Sequence, residues 1–344
     1  MTGLPGSMLV AALCALCCAG RAQAQSVESY YRGRTVSLVV GYSVGGGYDL
    51  YARLAARFLG RHIPGQPTVV VQNMTGAGGL RAAAYVQRAA PKDGSVITLH
   101  PQTLPLDTVL GLSEGVDAGQ FHWIGRLAMN VEVGVTLALS GLRSPDDLRR
   151  REVTVGGSGG TASSSLVPFL LNRSGGTRLK IISGYQSAQE AMLAMQRGEV
   201  EMVGATGIST MMAMHADGMK DGSLVLLYQT ARQRQPALSA VPTLAELGTT
   251  ADNRELLALF ASTAEMGRSF AVSADVPRER LKALVNAFGA MLTDPEFAQG
   301  ARDQNLIIEP ASAEEVEALV RAALAMPKSI VEQARVVLSE IKAR

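Results

Sequence analysis

Short apolar runs alternate with longer amphipathic runs along this chain, and glycine-rich turns join one to the next. The first unit is the apolar run TVSLVVGY (35–42), the turn GYSVGGGYD (41–49) and a run with apolar residues at helical spacing. A second unit begins with TVVVQN (68–73). Buried parallel strands are apolar along their whole length, and helical crossovers connect them. The alternation therefore predicts an α/β fold with parallel sheets.

Two extended stretches interrupt this alternation, at 121–141 and 268–277. A similar series of units restarts between them, and 344 residues are enough for two domains. We therefore expect a two-lobed protein with a ligand cleft between the lobes. The predicted boundaries are a discontinuous lobe 1 at 25–130 and 251–344, and lobe 2 at 131–250.

The N-terminus has the pattern of a secretory signal peptide. An apolar run at 8–20 is too short to span a bilayer and is followed by Ala22-Gln23-Ala24, a small-x-small cleavage site. We predict a signal peptide at 1–24, its removal before Gln25, and export to the periplasm. All three cysteines lie within this leader, so the mature chain has no disulfide and no cysteine metal ligand.

The composition of the chain argues against several classes of partner. A formal net charge of +2 is too small to predict binding to nucleic acid or to an acidic membrane. Aromatic residues make up only 5% of the chain, which argues against a platform for stacking bases. The histidines show no metal-ligand spacing. We therefore expect no metal, no cofactor and no nucleic acid.

Glycine-rich turns follow three predicted strands, at 41–49, 73–79 and 156–165. Ligands of open α/β sheets bind beyond the carboxyl ends of the strands, where helix N-termini offer unpaired N–H groups. No lysine follows these glycines as in a P-loop, and the first turn lacks the dinucleotide spacing G-x-G-x-x-G. The turns predict a small-anion site, and a carboxylate fits it better than a nucleotide.

Other polar residues lie close to these turns in the sequence. His100, Gln102 and Thr103 end or follow a predicted strand and are candidates for the cleft. Arg81 follows the second turn, either as a bidentate partner for a carboxylate or as an exposed arginine on a helix.

The third turn contains the motif G-x-S-x-G around Ser158. This motif is also the nucleophile elbow of serine hydrolases, so an alternative function is a hydrolase that uses Ser158 and His215. No oxyanion segment of the HGGG type is visible, and several hydroxyl residues surround Ser158. We therefore favour a ligand-binding turn, and we do not expect an enzyme.

Four long stretches of the chain have a familiar pattern: GRTVSLVVGYSVGGGYDLYARLAARFL, VVVQNMTGAGGLRAAAYVQRAAPKDGSVITL, YQTARQRQPALSAVPTLAELG and VPRERLKALVNAFGAMLTDPEFAQ. Together they resemble the receptors of tripartite tricarboxylate transporters, the Bug family of periplasmic solute-binding proteins. The resemblance runs in order through nearly the whole mature chain.

The resemblance implies a type II periplasmic binding protein that closes on a small carboxylate. It also implies that backbone N–H groups, hydroxyls and water hold the carboxylate, rather than arginine side chains. By position, the implied ligand-binding residues are Val44, Gly45, Gly46, Gly47, Asp49, Gly76, Ala77, Gly78, Gly79, Ser158, Gly159, Thr161, Ser163, Ala205 and Thr206.

The chain departs from the family pattern at pocket positions. Tyr42, Val44 and Gly47 stand where Phe, Pro and Ser or Thr are common, and the strand after Val200 lacks its usual terminal acid. These departures affect the identity of the ligand and leave the fold assignment unchanged.

The resulting hypothesis is a monomeric receptor that captures a small organic anion and presents it to a membrane permease. Closure is expected at hinges near 127–140 and 265–275, driven by contacts that form when both lobes hold the ligand. A further alternative is an adaptor with the same lobes that serves a membrane sensor kinase.

Overall fold

The computed structural model describes residues 26–158 and 162–342. The predicted signal peptide and the three cysteines lie outside this part of the chain. Within the described residues, none of the helices has the length and apolarity needed to cross a bilayer.

The described chain forms two five-stranded sheets. The strands are β1 (Thr35–Val40), β2 (Thr68–Asn73), β3 (Val96–Leu99), β4 (Phe121–Arg126), β5 (Glu132–Leu137), β6 (Val153–Gly157), β7 (Leu179–Ser183), β8 (Met202–Gly207), β9 (Leu224–Gln229) and β10 (Ser269–Ser273).

Helices cover both sheets. They are α1 (Val27–Tyr31), α2 (Gly47–His62), α3 (Leu80–Arg88), α4 (Leu104–Leu110), α5 (Asp147–Arg150), α6 (Ser163–Gly175), α7 (Ala188–Gln196), α8 (Ile208–Met214), α9 (Ala216–Lys220), α10 (Ala251–Ala261), α11 (Arg278–Leu292), α12 (Pro295–Asp303), α13 (Ala313–Leu324) and α14 (Lys328–Lys342).

The first sheet has the strand order β2-β1-β3-β10-β4, and the second has the order β7-β6-β8-β5-β9. Strand β1 runs parallel to β2 and β3, as β6 does to β7 and β8. Strand β10 is antiparallel to β3 and β4, and β5 is antiparallel to β8 and β9. The predicted two-lobed α/β fold is confirmed, although both sheets are mixed rather than parallel throughout.

The first extended stretch of the sequence divides between the two sheets. Its first half is β4 and its second half is β5. Between them, Leu127 N donates to Arg268 O over 3.0 Å and Arg268 N donates to Ala128 O over 2.8 Å. The two predicted crossings therefore run side by side. Gly267 permits this approach, because a Cβ there would lie 2.1 Å from Ala128 O.

Strand β1 and helix α2 show why the sequence folds this way in the first lobe. Val36, Leu38 and Val39 are fully buried in β1, as expected for a strand covered on both faces. Helix α2 buries Leu54 and Phe58 against the same core and keeps its arginines outside. The apolar periodicity therefore places the start of α2 at the carboxyl end of β1.

Two C-terminal helices contact the core of the second sheet. Leu257 of α10 and Val331 of α14 belong to the same hydrophobic cluster as Leu166 of α6. The predicted division of the chain near residue 250 stays a prediction, and this packing places α10 beside the second lobe.

Candidate functional site

A cleft of about 290 Å³ lies between the two sheets. The turns that follow β1, β2 and β3 form one wall, and the turns that follow β6, β7 and β8 form the other. The carboxyl ends of these strands are the place where open α/β sheets bind ligands.

The turn between β1 and α2 contributes Gly46 and Gly47 to the cleft lining, whereas Val44 and Gly45 lie outside it. Val44 is 69% exposed. Helix α2 begins at Gly47, and Gly46 has no side chain to bond the first amides. These N–H groups remain available to an anion in the cleft.

Asp49 is buried beneath this turn and does not line the cleft. Its carboxylate accepts hydrogen bonds from Gly45 N (2.8 Å), Arg53 Nε (2.8 Å) and Asn73 Nδ2 (2.9 Å). Burial opposes ionisation, but these hydrogen bonds outweigh it and hold the pKa of Asp49 below its ordinary value. Asp49 therefore fixes the conformation of the turn from the side that faces away from the cleft.

All four predicted residues of the turn at 76–79 line the cleft. Their φ values are positive, between +47° and +134°. The first two turns pack closely, because a Cβ on Gly41 would lie 2.6 Å from Gly79 Cα. Arg81 is exposed and lies outside the cleft lining, as expected for an arginine on a helix surface.

The second lobe contributes Ser158, Ser163 and Ser164 to the opposite wall. Ser164 Oγ accepts from Ser158 N over 2.9 Å and lies 2.8 Å from Ser158 Oγ. Helix α6 begins here without a side-chain cap. The predicted residues Gly159 and Thr161 lie outside the described part of the chain.

The remaining predicted residues, Gln102, Thr103, Ala205 and Thr206, also line the cleft. His100 does not, although we expected it near the cleft. Its ring packs edge-on against aromatic side chains of β4 in the core of the first lobe. Burial lowers the pKa of His100 to about 3, so the imidazole is neutral near pH 7.

Arg268 enters the cleft from the second crossing and was missed from the sequence. The residue is 3% exposed, and its Nε and Nη1 atoms have no hydrogen-bond partner among the described residues. Its guanidinium lies 3.8 Å from the centroid of the Tyr48 ring, which stacks on Tyr42 at 4.1 Å. Tyr48 holds the cation by cation–π contact, and this contact satisfies none of the N–H groups of the guanidinium.

Glu132, the first residue of β5, also lines the cleft and was not predicted. Its Oε2 accepts from Gln102 Nε2 over 3.0 Å. Burial raises the pKa of the Glu132 carboxyl, and hydrogen bonds from Ser163 and Gln102 and the charge of Arg268 oppose this rise.

One sequence signal could have found both residues. Arg268 and Glu132 are charges at the edge of apolar runs within the two extended crossings. A charge beside a strand that joins two lobes lies where the lobes meet. The resemblance implies that arginine side chains do not hold the carboxylate; this stays a prediction, and Arg268 is an arginine that lines the cleft.

The structure does not place Ser158 and His215 together as a serine hydrolase would require. Ser158 Oγ is hydrogen-bonded to Ser164, whereas His215 lies outside the cleft lining and borders a second cavity of about 480 Å³. Across the described residues, no group of three or more His, Cys, Asp or Glu side chains is arranged to hold a metal ion.

Comparison with known sequences identifies relatives of this chain. A scan against models of protein families finds no match. The chain is 28% identical to Protein BugT of Bordetella pertussis over 239 residues, which are 67% of this chain and 70% of the relative. It is 27% identical over 231 residues to the UPF0065 protein in the gbd 5′ region of Cupriavidus necator, covering 65% and 68% of the two chains.

Solved structures show what fold the chain shares with known proteins. The periplasmic binding protein BugD superposes with a TM-score of 0.69 at 21% identity, over 89% of this chain and 98% of BugD. MatC of Rhodopseudomonas palustris with bound malate gives 0.67 at 19% identity, over 89% and 99%. The fold is that of a two-lobed periplasmic binding protein. The predicted resemblance to the Bug family is confirmed by the sequence relatives, and the structures confirm the fold.

Proposed function

We propose that this chain is an extracytoplasmic receptor that captures a small organic carboxylate and delivers it to a tripartite tricarboxylate-type transporter. The observation that carries the proposal is Arg268, a buried arginine in the interlobe cleft whose Nε and Nη1 find no partner in the part of the chain that the structure describes. An unpaired buried charge is costly, and a carboxylate is the anion that best matches the planar guanidinium.

The helix N-termini around the cleft support the same ligand class. Helices α2, α6 and α8 begin at the cleft without side-chain caps. The ends of α2 and α6 offer unpaired N–H groups to an anion, whereas the first N–H of α8, on Ile208, already donates to Val131 O over 2.9 Å. The similar fold of MatC, which was solved with malate, agrees with a carboxylate ligand in this chain.

Capture requires the lobes to close around the ligand. We propose hinges near 127–140 and 265–275, where the two crossings run side by side and Arg268 lies. A ligand that contacts both walls favours the closed form, because those contacts exist only when the lobes are together. The proposed lobes are 25–130 with 251–344, and 131–250.

The receptor would act in the periplasm as a monomer after removal of residues 1–24. Its partners would then be the carboxylate and the permease subunits. The leader pattern of the sequence supports export, and the periplasmic binding proteins of similar fold support this location.

Thermal-shift and titration measurements on residues 25–344 test the proposal with a panel of mono-, di- and tricarboxylates. A carboxylate at one hundred times its Kd should stabilise the folded protein by about 2.7 kcal/mol. Arg268→Gln should weaken binding about 100-fold, whereas the exposed control Arg81→Gln should leave it unchanged. Absence of binding by every carboxylate would refute the proposed function.

A further inference from the structure

Two side chains with formal charges, Arg268 and Glu132, stand among the described residues that line the cleft. One is cationic and the other acidic, so their formal charges cancel. The other lining side chains are hydroxyl, amide, tyrosine, alanine or glycine. The selectivity of the cleft for ligand charge therefore depends largely on these two residues and the helix N-termini.

Arg268 and Glu132 do not satisfy one another. In the part of the chain that the structure describes, no ion pair within 4.0 Å joins them, and Arg268 Nε and Nη1 lack any hydrogen-bond partner. The charge of Arg268 is nevertheless close enough to oppose the rise in the pKa of Glu132. Both side chains line the same cleft, so one ligand can contact both.

The Glu132 side chain is held towards the cleft by neutral groups. Gln102 donates to its Oε2 over 3.0 Å, and the side chains of Ser163 and Asn130 are close enough to oppose the rise in its pKa. These partners fix its orientation and bring no positive charge. A carboxylate in this setting attracts a cation or a hydrogen-bond donor and repels a second carboxylate.

A dicarboxylate fits this arrangement poorly. One of its carboxylates can pair with Arg268, but the other then lies in a small cleft that also contains Glu132. Two negative charges in a partly desolvated site repel each other strongly. A ligand with an ammonium group in place of the second carboxylate removes this repulsion and gives Glu132 a partner.

We propose that the cleft selects an amino carboxylate, whose carboxylate pairs with Arg268 and whose protonated amine pairs with Glu132. The inference rests on the proposed carboxylate receptor and names the ligand class of the same site. The zwitterion matches the cancelling charges of the two residues, and its carboxylate also meets the helix N-termini.

Calorimetric titration of the wild-type protein tests this with matched pairs that differ by exchange of ammonium for carboxylate. The pairs are alanine and methylmalonate, β-alanine and succinate, and 4-aminobutyrate and glutarate. We expect at least one amino carboxylate to bind 10-fold or more tightly than its partner. A dicarboxylate that binds as well as or better than its partner in every pair overturns the inference and leaves the receptor function standing. No binding by either series overturns both.

The variant Glu132→Gln separates charge from shape, because the amide keeps the size of the side chain and can still accept from Gln102. It should lose at least 10-fold in affinity for the amino carboxylate and gain affinity for the matched dicarboxylate. Glu255→Gln, the same change on an exposed position of α10, should alter neither. Equal loss of both ligands in Glu132→Gln, with an unchanged Tm of the ligand-free protein, would show that Glu132 only shapes the cleft and would overturn the inference.

Discussion

Gln102 Nε2 donates a 3.0 Å hydrogen bond to Glu132 Oε2 and so joins the turn after β3 of the first sheet to the first residue of β5 in the second. Gln102 is 4% exposed, and its Oε1 has no hydrogen-bond partner within residues 26–158 and 162–342. The bond therefore links the two lobes within the ligand cleft and leaves one buried acceptor for a ligand.

Gln102→Ala should weaken both the fold and ligand binding. The change leaves Glu132 Oε2 without this donor, which costs about 1–3 kcal/mol when the group is buried. We expect a lower free energy of unfolding in urea and about 10-fold weaker ligand binding. Gln299→Ala, on the exposed face of α12, is the control and should change each by far less.

Gly47→Ala should hinder closure of the cleft. The added Cβ would lie 2.4 Å from Thr210 Oγ1 across the cleft and 2.9 Å from Arg268 Nη2. Because the clash is with the facing lobe, ligand affinity should fall 10-fold or more and small-angle scattering should show a larger radius of gyration. Gly289→Ala, where nothing lies within 4 Å, should stabilise α11 by about 0.5–1 kcal/mol and leave affinity unchanged. Unaltered affinity in Gly47→Ala would contradict the close approach of the two lobes.

Asp49→Ala should destabilise the first turn. The carboxylate accepts from Gly45 N, Arg53 and Asn73, and its loss should cost about 2–3 kcal/mol. The pKa of Asp49 in the folded protein lies below the unfolded value of 3.8. The ionised carboxylate therefore stabilises the fold above pH 3.8, and this stabilisation is lost as pH falls through the folded pKa. The difference between wild type and variant in urea unfolding should therefore shrink at low pH; a difference independent of pH would count against an ionised Asp49.

Asp107 gives the opposite pH dependence. It lies buried in α4, and burial raises its pKa from 3.8 to about 7, against a hydrogen bond with Thr103. The folded state keeps the proton that the unfolded state loses, so stability from this group is full below pH 3.8 and is lost as pH rises through about 7. Three pKa units correspond to roughly 4 kcal/mol at most.

The test is urea unfolding of wild type and Asp107→Asn between pH 4 and 8. The amide does not titrate, so the variant should gain stability relative to wild type as pH rises. Asp303→Asn, an exposed position of α12, serves as the matched control. Parallel pH profiles for wild type and Asp107→Asn would rule out a titration of Asp107 in this range.

Ser158→Ala should weaken ligand binding about 3- to 10-fold, because it removes a cleft hydroxyl that bonds to Ser164. The cost corresponds to one neutral hydrogen bond of about 1 kcal/mol. Calorimetry measures the affinity, and an ester-hydrolysis assay measures turnover in parallel. Ester turnover by the wild type that this variant abolishes would instead support the hydrolase alternative.

Much of the site was predictable from local pattern. The turns at 41–49 and 76–79 follow apolar strands and precede amphipathic helices, so the sequence places both at the carboxyl edge of a sheet. Gln102 and Thr103 follow by the same reasoning. Within the first turn, the direction of each residue was not predictable: Val44 points outward, and Asp49 lies beneath the turn.

The sequence alone determined the two-lobed α/β class, the glycine turns and their relation to helix starts, because strand burial and helix periodicity are local properties of the chain. The tertiary structure decided that Arg268 and Glu132, 136 positions apart, line one cleft. Their meeting depends on how two extended crossings pair and on which way each strand faces. That pairing arises from long-range backbone hydrogen bonds and the packing of Tyr48 under the guanidinium, which no local pattern in the sequence encodes.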